Sequence, residues 1–61
     1  MNKQEAMNEV ARLNPTSTSI VARCITSCPW IQAEYLVRFE GAPVPRRYEL
    51  YTDGFLWLKA A

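Results

Sequence analysis

From Ile31 to Glu40 apolar and polar residues alternate. Ile31, Ala33, Tyr35, Val37 and Phe39 point one way; Gln32, Glu34, Arg38 and Glu40 point the other, with Leu36 the one apolar residue on the polar side. A period of two along such a run is the pattern of a half-buried antiparallel strand. The N-terminal segment has a different period. Ala6, Met7, Val10, Ala11 and Leu13 recur at helical spacing, with Glu5 and Glu9 on the other side, which predicts an amphipathic helix over 2–13. Asn2 suits its N-cap, Glu5 follows three residues later as in a capping box, and Asn14-Pro15 ends it, because the residue before proline is pushed out of the α region.

The rest of the chain reads as strands separated by turn residues. Thr18 to Ser27 is rich in β-branched residues, Pro29-Trp30 makes a turn, and 31–40 is the alternating strand. Gly41-Ala42-Pro43-Val44-Pro45 is a loop whose prolines cannot donate to a ladder. Strands over 46–52 and 55–59 flank Asp53-Gly54, a strong hairpin signal. The predicted strands are therefore 18–27, 31–40, 46–52 and 55–59. The fold class is α+β: one domain, 1–61, with an N-terminal helix packed on a four-stranded antiparallel meander. A small SH3-like barrel with an N-terminal helix is the alternative.

A two-residue Asp53-Gly54 turn would pair Leu50 with Trp57 and Glu49 with Leu58. Tyr48, Leu50, Phe55 and Trp57 would then form the core face. Arg47, Glu49, Tyr51, Leu56 and Leu58 would face outward, joined by Leu36. On this register Leu36, Tyr51, Leu56 and Leu58 make an outer apolar patch with Arg38 and Arg47 as orienting charges. Apolar surface with a polar rim is how protein interfaces are built. Leu56→Glu is expected to abolish association with the fold intact, and Trp57→Ala to unfold the chain. The last strand is also a predicted sheet edge, open to strand addition by a partner or a second copy.

Composition narrows the function. The chain has 61 residues, with seven basic and six acidic side chains and no histidine, for a formal charge of +1. A single core of this size supplies only about 3–5 kcal/mol, so a partner subunit would be a large addition. No global field draws the chain onto nucleic acid or an anionic membrane. No apolar run approaches the ~20 residues of a membrane span and the N-terminus lacks the apolar stretch of a signal peptide, so a cytoplasmic, non-membrane protein is expected.

Cys24 and Cys28 are too few to complete a tetrahedral zinc site. On one straight strand they would lie roughly 13 Å apart, beyond the ~7 Å that a disulfide tolerates, so free thiols are expected unless the chain turns at Ser27-Cys28-Pro29. A cysteine nucleophile would need a base, and neither phosphate-binding glycine motif is present. No enzyme, cofactor or metal is expected. The leading reading is a small non-enzymatic protein-interaction module, an adaptor or stoichiometric inhibitor that binds a protein partner or itself as a homodimer. The alternative is a small β-rich nucleic-acid-binding domain, in which Arg23, Arg38, Arg46 and Arg47 cluster with Tyr48, Tyr51 or Trp57.

Glu34-Tyr35-Leu36-Val37-Arg38-Phe39-Glu40-Gly41 resembles the E-Y-L-V-K-W-K-G strand of chromodomains, which cage methylated lysine with aromatics. The resemblance implies that Phe39 replaces the family's cage tryptophan. It covers eight of 61 residues. The family's T-W-E-P segment is missing, and the chain reads as strand where that family has its C-terminal helix.

Overall fold

The computed structural model describes residues 1–59; Ala60 and Ala61 of the expected domain lie outside the described residues. Helix α1 (Lys3–Leu13) is followed by strands β1 (Ser19–Arg23), β2 (Ile31–Arg38), β3 (Arg46–Tyr51) and β4 (Leu56–Lys59). The strands form one antiparallel sheet in the order β1-β2-β3-β4. The predicted α+β meander is the observed architecture. The ends β1 and β4 are edges, so the sheet is open and not a barrel.

The helix starts where the capping box places it. The Asn2 Oδ1 accepts from the Glu5 N–H at 2.8 Å, and the Glu5 Oε1 accepts from the Asn2 N–H at 3.0 Å. Its buried stripe is narrower than predicted: Ala6 and Val10 are fully buried and Met7 partly, but Ala11 and Leu13 are exposed. Two residues one turn apart suffice because the helix lies over the two central strands, β2 and β3. There Ala6 and Val10 meet Ala33, Tyr35, Val37, Tyr48 and Leu50. Ile20, Phe39 and Leu56 complete the margin of this core.

Two tyrosine hydroxyls on those central strands fix the ends of the helix. Tyr35 donates to the Lys3 carbonyl at 2.7 Å, and the Asn14 amide donates to the Tyr48 hydroxyl at 3.1 Å and to the Val10 carbonyl at 2.8 Å. Arg46 donates to the Asn14 Oδ1 at 2.6 Å. Asn14 is 3% exposed, so without these partners its amide would be a buried unsatisfied group, worth about 1–3 kcal/mol in lost solvation.

β1 is shorter than its predicted span of 18–27. It ends at Arg23, opposite Glu34, and the residues after it form the connection to β2. Cys24 and Cys28 lie in the connection as free thiols, Cys24 exposed and Cys28 half-buried.

The hairpin register differs from the expected one, with large consequences. Its loop has three residues, Thr52-Asp53-Gly54. The Gly54 N–H bonds the Tyr51 carbonyl and the Tyr51 N–H bonds the Phe55 carbonyl, both at 2.9 Å. Among the described residues no side-chain-bearing residue has positive φ, whereas Gly54 has φ 90°. A type I′ turn needs positive φ at Asp53 as well, so it is excluded. The geometry is the alternative in which a type I turn is followed by a left-handed glycine and a bulge, and the Asp53 carboxylate supports it by accepting from the Phe55 N–H at 2.9 Å. Leu50 therefore pairs with Leu56, Glu49 with Trp57 and Tyr48 with Leu58. A one-residue slip turns every side chain of a strand to the opposite face. Leu56 and Leu58 thus lie on the helix side, and Phe55 and Trp57 on the other.

Candidate interaction face

Among the described residues no layer covers the side of the sheet away from the helix. The residues of that side follow from the cross-strand pairs. One row runs Val21, Leu36, Arg47; the next runs Arg23, Glu34, Glu49, Trp57; Ser19 and Arg38 form a third. Tyr51, at the β3 end, is half-buried on the same side. Phe55 and Trp57 are 54% and 50% exposed, with ring centroids 6.1 Å apart and planes tilted by 46°. Val21 is also exposed, at 46%.

Of the six predicted contact residues the structure brings four together on this face: Leu36, Tyr51, Arg38 and Arg47. Leu36 is only 7% exposed. It sits on a central strand with a pairing neighbour on each side, Val21 of β1 and Arg47 of β3. Leu36 is therefore floor more than contact surface. Leu56 and Leu58 do not belong here. Leu56 packs against the core margin, and Leu58 pairs with Tyr48 on the helix side while remaining half exposed. Trp57 and Phe55, assigned to the core by the two-residue turn, take their places. Asp-Gly alone does not separate the two loop lengths, because both use a left-handed glycine.

Electrostatics divide the face. Glu34 and Glu49 stand directly opposite each other on β2 and β3, an arrangement that repels unless a cation attends it. Arg23 approaches Glu34 at 3.6 Å, and Glu34 is 7% exposed. The Tyr51 phenol is raised above its usual pKa of 10.0, first by desolvation and then by the nearby Glu49 carboxylate. Carboxylates and guanidinium groups thus interleave on this face, with Arg23 beside Glu34 and with Arg38 and Arg47 toward its other end.

Other sites offer less. A shallow hollow of about 130 Å³ is lined by Lys3, Ala22, Arg23, Cys24, Gln32 and Ala33, well below the ~300 Å³ at which small-molecule pockets begin. Phe39, the position of a cage aromatic in the chromodomain resemblance, is partly buried against the core with the Arg46 guanidinium 5.1 Å from its ring centroid. That ring face already holds a cation. Among the described residues no group of three or more His, Cys, Asp or Glu side chains could hold a metal ion, and no helix is long and apolar enough to cross a membrane. No protein-family model matches the chain, and neither does any curated protein or solved structure.

Proposed function

We propose that this chain is a small non-enzymatic protein-interaction module, working through the open sheet face and edge of its C-terminal hairpin. The observation that carries the reading is the exposed Phe55–Trp57 pair at the β4 edge, on a sheet face over which no described residue forms a second layer. Trp, Tyr and Arg dominate the energetics of protein interfaces, and Trp57, Tyr51 and Arg47 are within this face. The partner that fits presents an apolar side chain to Trp57 and Phe55.

A nucleic-acid reading draws on Arg23, Arg38 and Arg47 beside Tyr51 and Trp57. Stacking on aromatics within a basic groove is how small sheets hold single strands. Glu34 and Glu49 interrupt these basic groups in the middle of the face, so no continuous basic groove forms, which favours the protein reading.

The test compares wild type with Trp57→Ser, immobilised and exposed to cell extract, alongside titration of both with a single-stranded oligonucleotide. A protein retained by wild type and lost with Trp57→Ser supports the proposal. Quenching of tryptophan fluorescence by the oligonucleotide, with no protein retained, would replace it with the nucleic-acid reading.

A further inference from the structure

The β4 edge has a self-complementary pattern. The Tyr51 N–H bonds the Phe55 carbonyl, and hydrogen bonding alternates along an antiparallel ladder. Trp57 therefore bonds back to Glu49, while the N–H and C=O groups of Leu56 and Leu58 point away from the sheet. Such a row of unpaired backbone groups is a template for another strand. The side chains repeat the symmetry, with leucine on either side of Trp57. Leu58 is 52% exposed on the helix side and Trp57 is 50% exposed on the open side. The strand holds no proline, and its one charged residue, Lys59, is at its end.

Resting on the reading that this hairpin is the interaction site, we infer that the β4 edge pairs with the β4 edge of a second copy. The strands run antiparallel about a two-fold axis through Trp57. This register joins Leu56 to the second copy's Leu58 and Leu58 to its Leu56, which satisfies every outward N–H and C=O of both leucines. A register centred on Leu56 sets Leu58 against the second copy's Gly54, whose N–H is already bonded to the Tyr51 carbonyl. An isologous contact needs a self-complementary patch, and Leu-Trp-Leu about a central residue is one. Trp57 meets its symmetry mate as a non-hydrogen-bonded pair, at a Cα separation of about 4.5 Å. The axis is perpendicular to the sheet, so both helices stay on one side and the open faces join into one surface with the two Trp57 side chains at its centre. The contact is short, at the low end of specific interface areas, so a micromolar dimer is expected.

Three measurements test this. Light scattering of wild type across a concentration series is expected to show the mass doubling in the micromolar range. Amide exchange at Leu56 and Leu58 is expected to slow about tenfold or more as the dimer fills. In a Cys24→Ser, Cys28→Ser background, Trp57→Cys is expected to form a disulfide-linked dimer on mild oxidation, because a Cα separation near 4.5 Å suits a disulfide. Phe55→Cys is not, since its symmetry mate lies about 13 Å along the strand. A dimer that links through Phe55→Cys, or leaves the Leu56 and Leu58 amides unprotected, overturns the edge pairing. A wild-type chain monomeric at every concentration overturns it too. If that monomer still retains an extract protein through Trp57, the interaction reading survives alone; if it retains nothing, both fail.

Discussion

Strands β2 and β4 each carry apolar side chains on both faces of one sheet, yet they meet different fates. Leu36 of β2 has no layer of described residues above it and is 7% exposed; Leu58 of β4 lies on the helix side and is 52% exposed. Place in the strand order outweighs face. β2 has a neighbour on each side, with Val21 and Arg47 paired across from Leu36. β4 has a neighbour on one side only, and the helix lies over β2 and β3. A short chain with one small helix can finish its core over the central strands but not over the edge. The unfinished edge is where the interaction site is proposed.

The sharpest way to break this contrast is to truncate the centre. Leu50 is fully buried between Ala33 and Leu56, and Leu50→Ala should destabilise by about 2–5 kcal/mol. Against the few kcal/mol expected of a domain this size, that leaves much of the population unfolded at 25 °C, as a denaturant titration would show. A Leu50→Ala protein with native stability would mean that the centre is not where the fold is held.

The edge is tested by a pair of substitutions. Leu56→Ala removes packing at the core margin and should cost about 1–3 kcal/mol. Trp57→Ala should cost under about 1 kcal/mol, mostly its contact with Phe55, and should weaken association instead. The two-residue turn predicts the reverse order, so thermal melts of these two variants decide the register directly.

This is also where sequence reading fell short. The alternation over 31–40, the capping box at Asn2 and Glu5, and Asn14-Pro15 as a helix end are local signals, and the corresponding elements formed. Asp53-Gly54 is local too, but it suits both a two-residue turn and a three-residue loop, and the choice depends on whether Asp53 takes positive φ. One residue of loop length then moved Leu56, Leu58, Phe55 and Trp57 across the sheet. Leu36, Tyr51, Arg38 and Arg47, which do not depend on that loop, were placed on the open face from the sequence alone. The Asn14 network was illegible for another reason: Tyr48 and Arg46 are more than thirty positions away, and no periodicity links them.

The two glycines sharpen the comparison at smaller cost. Both have positive φ, 79° at Gly41 and 90° at Gly54. A Cβ at Gly41 meets open space, whereas one at Gly54 runs into the backbone nitrogen of Met1. Gly41→Ala should cost about 1 kcal/mol from the left-handed conformation alone. Gly54→Ala should cost more, about 1–2 kcal/mol, and should loosen β4 selectively. Faster exchange at the Trp57 amide in Gly54→Ala, with β2 amides unchanged, is the expected signature.

A further effect is read in alkali, and it belongs to the centre. Burial raises the Tyr35 phenol above its usual pKa of 10.0, and in its neutral form the hydroxyl donates to the Lys3 carbonyl. The folded state therefore keeps a proton that the unfolded chain releases near pH 10. The contribution of this group to stability is present in full below that pH, and is lost as pH rises from about 10 through the raised folded value. Tyr35→Phe removes both the hydrogen bond and the titration. It should lower stability slightly at neutral pH, by about 0.5–1.5 kcal/mol, and should flatten the fall of Tm above pH 10. An alkaline slope unchanged in Tyr35→Phe would assign that titration to another group, and with it the claim that Tyr35 pins the start of the helix to the centre of the sheet would lose its support.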